Sequence, residues 1–372
     1  MNPSGKMIRV LVVDDSALMR KLIPQLIERD NQIHVVGTAM DGAFALKKIE
    51  EYRPDAITLD LEMPRMDGIE TLRQIMRDQQ VPVVVVSAHT REGAATTFKA
   101  LHMGAFDFVA KPENVLAEGM QEIAAELIEK IKAAVASPFR RRALPAAGIL
   151  AQPKSRRRAT VPGPPSKVVA IGISTGGPNS LEYMLGQLPE DFPAAILVAQ
   201  HMPAGFTDTF ARRLNESCNL EVKEAQSGDL VAAGRVLICP GDRHMRIRRM
   251  PLGDVIVLSD EARVNGHRPS VDVLFRSTAQ EFGSCAVGLL MTGMGEDGAE
   301  GLGVMQTTGA MTIAQDEASS IVFGMPRAAI ERGFANRVVG LEALANTLIA
   351  HCGVSRSAPV KEQQPVRSTG PM

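Results

Sequence analysis

The sequence predicts two α/β domains, each built on a mostly parallel sheet, joined by a long basic linker. Three observations carry that expectation. From residue 8 onward, short apolar strands alternate with amphipathic helical stretches, and the same alternation resumes after residue 167. Between the two, residues 137 to 167 hold eight basic residues (Arg140, Arg141, Arg142, Lys154, Arg156, Arg157, Arg158 and Lys167), six prolines and no acid. At 372 residues with 45% hydrophobic and 22% charged content, the chain is long and apolar enough for two buried cores.

In the first domain, strands are expected at Ile8 to Val13, Val35 to Ala39, Ala56 to Leu59, Val83 to Ser87 and Phe106 to Val109, a doubly wound (βα)5 pattern. Such sheets collect their functional groups at the carboxyl ends of the strands. Those ends supply Asp14 and Asp15, Asp60, Ser87, and Lys111 before Pro112. Crowded carboxylates repel one another unless a divalent cation neutralises them, and oxygen ligands suit Mg²⁺. With the metal held by Asp15, Asp60 and the Glu62 carbonyl, and Asp14 beside them, a free oxygen of Asp60 can accept a phosphoryl group; Lys111 and Ser87 would hold its oxygens. Any one aspartate could simply cap a helix. The set DD, LDLEMPRMDG, SAH and KP, in that order and spacing, is specific.

Residues 7 to 133 thereby resemble the response-regulator receiver family. The resemblance implies that a partner histidine kinase phosphorylates Asp60 and that Ser87 and Phe108 rearrange to transmit the event. From sequence alone, Phe108 reads equally well as a core aromatic.

The linker, 134 to 166, reads as an extended chain spanning on the order of 30 Å if flexible. Its arginines fit a solvated spacer better than a nucleic-acid contact, because aromatics for base stacking are almost absent. Cys218, Cys239, Cys285 and Cys352 are widely spaced without a CxxC pair, so neither a disulfide framework nor a structural zinc site is expected. No apolar run approaches the roughly 20 residues of a membrane span, and no signal-peptide pattern precedes the first strand. A cytoplasmic protein without membrane insertion is expected. Residues 353 to 372, rich in Pro, Ser and Gln, read as a disordered tail.

In the second domain, 167 to 352, strands are expected at Val168 to Ile173, Ala195 to Ala199, Val236 to Cys239, Val255 to Leu258, Ala286 to Met291 and Met311 to Ala314. Helices are expected at Asn179 to Leu188, Thr207 to Leu214, Val271 to Phe282 and Gly298 to Thr307. Three of these strands end in complementary chemistry: Ser174 in GISTGGP, His201 in AQHMP and Asp297 in MTGMGEDGA. If the strands are parallel, a Ser-His-Asp chain can assemble on one edge of the sheet, with His201 as base and Asp297 holding its tautomer. The N–H groups of Thr175 and of Met294 are the candidate oxyanion donors. A glycine-rich turn of this kind can also cradle phosphate, but GISTGGP itself carries neither GxxxxGK[ST] nor GxGxxG. The order Ser, His, Asp differs from the Ser, acid, His order of α/β-hydrolases, so GISTG is no evidence for that fold. Ser270 in NGHRPSVD, three residues after His267, is the alternative nucleophile, although RPSVD reads as a helix start with Ser270 as cap.

Together GISTGGP, AQHMPAGFT, PGDRH, GHRPSVDVLF, MTGMGEDGA and AQDEASSIVFGMPRAAI resemble the CheB family of chemotaxis protein-glutamate methylesterases, over about residues 167 to 350. The resemblance implies a nucleophile, base and acid at Ser174, His201 and Asp297, and a phosphorylated aspartate at Asp60. It implies hydrolysis of glutamate methyl esters and deamidation of glutamines on methyl-accepting chemoreceptors, control by a chemotaxis histidine kinase, Mg²⁺ for receiver phosphorylation and no cofactor for ester hydrolysis. It also implies that the unphosphorylated receiver covers the esterase site. The rival from another class is a receiver-controlled DNA-binding regulator; a milder one is a methylesterase of a chemosensory pathway that does not control motility.

Overall fold

The structure, a computed structural model, describes residues 7–88, 90–111, 117–137 and 163–353. Most of the linker, the C-terminal tail, Pro112 and His89 of the SAH motif therefore lie outside the described residues.

The first domain orders its strands β2-β1-β3-β4-β5, with β1 Ile8–Val13, β2 Ile33–Ala39, β3 Ala56–Asp60, β4 Val83–Ser87 and β5 Asp107–Ala110. Every pairing is parallel. Strands buried on both faces need continuous apolar runs, and β4, VVVVS, is buried throughout. Helices α1 Ala17–Ile27, α2 Gly42–Tyr52, α3 Gly68–Asp78, α4 Arg91–His102 and α5 Ala117–Ala136 connect and cover the strands. The first four begin at Ser16, Asp41, Asp67 and Thr90, whose side chains accept the otherwise unpaired N–H groups of the first turn. Helix α5 runs three residues past the expected boundary at 133.

The second domain holds a seven-stranded, wholly parallel sheet ordered β14-β13-β12-β6-β7-β9-β8. Its strands are β6 Val168–Ile173, β7 Ala195–Gln200, β8 Glu221–Glu224, β9 Arg235–Ile238, β12 Ala286–Leu290, β13 Met311–Gln315 and β14 Arg337–Val339. The expected strand at 255–258 exists but lies outside this sheet. It is β11, Val255–Ser259, which forms an antiparallel hairpin with β10, His244–Arg248. Helices α6 Gly177–Leu185, α7 Phe206–Ser217, α8 Val271–Phe282, α9 Ala299–Thr307, α10 Met325–Glu331 and α11 Leu341–Cys352 complete the domain. Cys239 and Cys352 are buried and all four cysteines are free; burial pushes the Cys352 thiol up to about 11, which leaves it protonated and unreactive near neutrality.

The two domains share a hydrophobic cluster. Helix α4 packs against α6 and α7. Phe98 of α4 stacks on Phe210 of α7 with centroids 5.4 Å apart, and Phe108 of β5 stacks on Phe206 at 4.8 Å. Asn179 Nδ2 donates to the Leu101 carbonyl at 2.9 Å, and Ser137 Oγ to the Ile321 carbonyl at 3.2 Å. Fully burying one phenylalanine side chain stabilises by about 1.5–3 kcal/mol, so these four rings carry much of the contact.

Candidate active site

The strand order places the site. The chain runs outward from β6 to β7 in one direction and returns to β12 on the other side, so a topological switch point falls between β6 and β12. Ser174 follows β6, His201 follows β7, and Asp297 lies in the turn after β12. Ile173 pairs with Gln200 and Gly172 with Leu290, which brings the three strand ends level. Past those ends, His201 N donates to the Ile173 carbonyl at 3.1 Å and Ser174 N to the Thr292 carbonyl at 3.0 Å, so the Ser174 turn is clamped from both sides.

His201 Nδ1 lies 3.2 Å from Ser174 Oγ, and His201 Nε2 lies 2.8 Å from Asp297 Oδ2. The nitrogen facing the serine is thus Nδ1, the reverse of the chymotrypsin arrangement. The reason is topological: His201 is the lateral neighbour of Ser174 on an adjacent strand, so the ring atom nearer its backbone reaches the hydroxyl. The distal nitrogen extends across β6 to Asp297. Asp297 also accepts from Ser270 Oγ at 2.8 Å, Asn265 Nδ2 at 2.9 Å and Val271 N at 2.6 Å. Burial opposes its ionisation, but the bonds and charge from His201 together with Asn265 and Val271 outweigh it and hold the carboxyl well below the usual carboxylate range. An ionised Asp297 keeps a proton on Nε2 and leaves the Nδ1 lone pair toward Ser174.

Ser174 precedes the N-terminus of α6, whose unpaired N–H groups and dipole favour negative charge. The turn needs Gly176, whose φ is +73°. Gly293 is required for a different reason: a Cβ there would stand 2.8 Å from the Ser174 Cβ and 2.2 Å from Met325 Sδ. That approach brings the Gly293–Met294 backbone against Ser174. Neither the Thr175 nor the Met294 N–H has an acceptor among the described residues. Thr292 Oγ1 donates to the Thr175 carbonyl at 3.0 Å, and Gln200 Nε2 to the Ser174 carbonyl at 3.0 Å, so the turn's carbonyls are tied away from the site.

Ser270 is at the N-cap position of α8, yet its side chain makes no capping bond. Its hydroxyl donates to Asp297 Oδ1 at 2.8 Å instead. His267, noted in the sequence only as a neighbour of Ser270, lies flat against His201, with ring centroids 3.8 Å apart and planes 9° apart. Asn265 was not legible as a site residue at all. Burial, then the charge of His201, lower His267 to about 4, so it remains a neutral ring near pH 7. Unfolding raises its proton affinity, so its contribution to stability is complete above pH 6.5 and is lost as the pH falls toward about 4. Thermal melts are expected to show the wild type losing stability across that window relative to His267→Phe, with parallel pH curves as the contrary result.

The receiver's groups gather at its own switch point, between β1 and β3. Carboxylate oxygens of Asp14, Asp15 and Asp60 lie within 4.8 Å of one another. Lys111 Nζ stands 2.6 Å from Asp60 Oδ2 and 3.0 Å from Asp14 Oδ2. The latter oxygen is buried and has no well-formed hydrogen bond, which fits a cation ligand. Burial pushes Asp60 up to about 6, against the opposing pull of Lys111. Glu62 contributes a backbone N–H to Asp60 Oδ1 at 3.2 Å, and its side chain is exposed. Ser87 Oγ is bonded to α4: it donates to the Gly93 carbonyl at 3.3 Å and accepts from Thr97 Oγ1 at 2.7 Å. Phe108 is part of the ring cluster between the domains.

Residues 10–123 match the response regulator receiver domain model, and residues 169–348 match the CheB methylesterase model. The expected rival, a DNA-binding output domain, is thereby replaced. A solved structure, the catalytic domain of Thermotoga maritima CheB methylesterase, is 39% identical over 50% of this chain and 98% of its own, with a TM-score of 0.49. A protein from Koribacter versatilis named protein-glutamate methylesterase/protein-glutamine glutaminase 2 is 60% identical over 94% of this chain and 97% of its own length. A Pyrococcus horikoshii protein-glutamate methylesterase/protein-glutamine glutaminase is 45% identical over 93% and 94%. With one family's catalytic domain behind a receiver, and relatives that match it nearly end to end, the chain belongs to the CheB methylesterase family.

Proposed function

We propose that this chain is a phosphorylation-activated protein-glutamate methylesterase and protein-glutamine glutaminase that acts on methyl-accepting chemoreceptors in the cytoplasm and gives adaptation in chemotaxis. The observation that carries the reading is the hydrogen-bonded series Ser174, His201, Asp297 at the sheet's switch point. Ser174 Oγ attacks the side-chain acyl carbon while His201 Nδ1 takes its proton. The oxyanion forms toward the N–H groups of Thr175 and Met294. His201 returns the proton to the departing methoxide, releasing methanol, or to the departing amine, releasing ammonia. Water, deprotonated by the same base, then hydrolyses the acyl-enzyme. Asp297 stabilises the imidazolium in both halves.

Asp60 is the proposed phosphoryl acceptor, with a chemotaxis histidine kinase as donor. Asp14, Asp15, Asp60 and the Glu62 carbonyl would hold Mg²⁺, which supplies charge neutralisation for phosphoryl transfer. Lys111 then turns from the carboxylates to a phosphoryl oxygen. Ser87 reaches the same group only by leaving the Gly93 carbonyl, which couples Asp60 to α4 and hence to Phe98. Phe108 is stacked on Phe206, the first residue of the helix that the His201 loop leads into. Phosphorylation is therefore read as a population shift away from the contact between domains.

Methanol release from methylated receptor membranes, with and without acetyl phosphate, tests chemistry and control together. Wild type is expected to release methanol and to be stimulated; Asp60→Asn is expected to keep the basal rate without stimulation, and Ser174→Ala serves as the blank. Equal stimulation of Asp60→Asn would remove the switch, and methanol release by Ser174→Ala would remove the nucleophile.

A further inference from the structure

We propose that Asn265 is a positioning residue for the triad: its side-chain amide, presented by a tight turn, ties Asp297 to a second buried carboxylate, Asp272, and so fixes the acid's alignment on His201. The inference rests on the triad reading above.

Val264 and His267 exchange backbone hydrogen bonds, Val264 N to His267 O at 3.1 Å and His267 N to Val264 O at 2.9 Å. Between them Asn265 and Gly266 have φ of +54° and +78°. This is the two-residue Asn-Gly turn that favours left-handed residues. The turn accounts for a residue tolerant of positive φ, but Gly or Asp would serve it as well. It does not account for where the amide goes. Asn265 Nδ2 is 2.9 Å from Asp297 Oδ1 and 2.9 Å from Asp272 Oδ2. One NH₂ group thus serves two carboxylates, a use its two hydrogens allow.

Both carboxylates are buried, at 2% and 4% exposure, and each comes from a different element, the turn after β12 and the first turn of α8. Burial and the neighbouring Asp297 push Asp272 up, while the Gly301 N–H at 2.6 Å and Asn265 work against that. A cation at position 265 would settle the repulsion but would also neutralise Asp297 and weaken its hold on the imidazolium. A neutral double donor holds the acid in place and leaves its charge intact. The same turn ends in His267, whose ring lies flat on His201. One short loop therefore touches the acid through Asn265 and the base through His267. The charged or titratable groups around it are His201, His267, Asp272, Asp297, Arg263 and Arg276.

The test uses full-length enzyme stimulated with acetyl phosphate, comparing wild type, Asn265→Gly and Asn265→Asp. Asn265→Gly keeps the turn and deletes the donor; Asn265→Asp keeps the turn and adds a carboxylate. Active sites are counted by stoichiometric labelling of Ser174 with a fluorophosphonate. For Asn265→Gly, kcat per labelled site is expected to fall about tenfold to a hundredfold, with KM within about twofold, as for loss of a hydrogen bond to a charged group. For Asn265→Asp, the acid limb of the kcat profile is expected to move to higher pH by about one unit, because the added negative charge favours the protonated imidazole. A role confined to the fold would reduce the labelled fraction and leave kcat per site and the pH profile as in wild type. That result overturns the proposal. Methanol release by Ser174→Ala would instead overturn the triad reading beneath it, so the two failures are distinct.

Discussion

Asp297→Asn is expected to lower kcat for methanol release about ten-thousandfold, with the protein still folded. The size of the effect follows from the tautomer. An asparagine must present its NH₂ group to either His201 Nε2 or the donors Ser270 and Asn265 that meet Oδ1. Facing Nε2, it turns that nitrogen into an acceptor and moves the imidazole proton to Nδ1, which then cannot accept from Ser174 Oγ. Facing the other side, it leaves two donors without an acceptor and still supplies no negative charge to the imidazolium. Either arrangement removes the base. Steady-state methanol release at saturating receptor, with near-ultraviolet circular dichroism to check the fold, measures it; a loss below tenfold would mean that Asp297 is not the partner of the base.

Phe98→Ala is expected to raise the esterase rate in the absence of any phosphodonor, toward the acetyl phosphate-stimulated rate of the wild type. Phe98 is 3% exposed, and its stack on Phe210 and edge contact with Phe206 exist only while the domains are together. Deleting the ring removes about 2 kcal/mol from the closed arrangement, which raises the open fraction on the order of 30-fold, up to the ceiling set by a fully open enzyme. The receiver core loses one edge contact, with Phe108, so Asp60 chemistry is retained. Basal methanol release at the wild-type level would show that this cluster does not restrain the esterase.

Much of the fold was legible because buried parallel strands must be continuously apolar. The runs VVAIGI and VVVVS appear in the structure with the expected bounds. What escaped notice was short, polar or outside a sheet. Strand β8, EVKE, alternates because it lies on an edge, and β10, HMRIR, alternates because a two-stranded hairpin buries only one face. Helices α10 and α11 also escaped. Ser174, His201 and Asp297 were visible because each follows an apolar strand, where function collects in α/β sheets. Asn265 and His267 carry no such mark, since an NG pair followed by a histidine reads as an ordinary turn.

The sequence by itself determined the two α/β domains, the residue types at the strand ends and their chain order, because strand burial and strand-end chemistry are local properties. Only the tertiary structure decided that β12 returns beside β6, so that Asp297 meets His201 across a strand and Nδ1 faces the serine. Only it showed Phe108 stacked on the helix that follows His201, and Asn265 shared by two carboxylates. The side-chain contacts among these join residues from 7 to 98 positions apart, and no local pattern specifies which distant partner a side chain will meet once the sheets are packed.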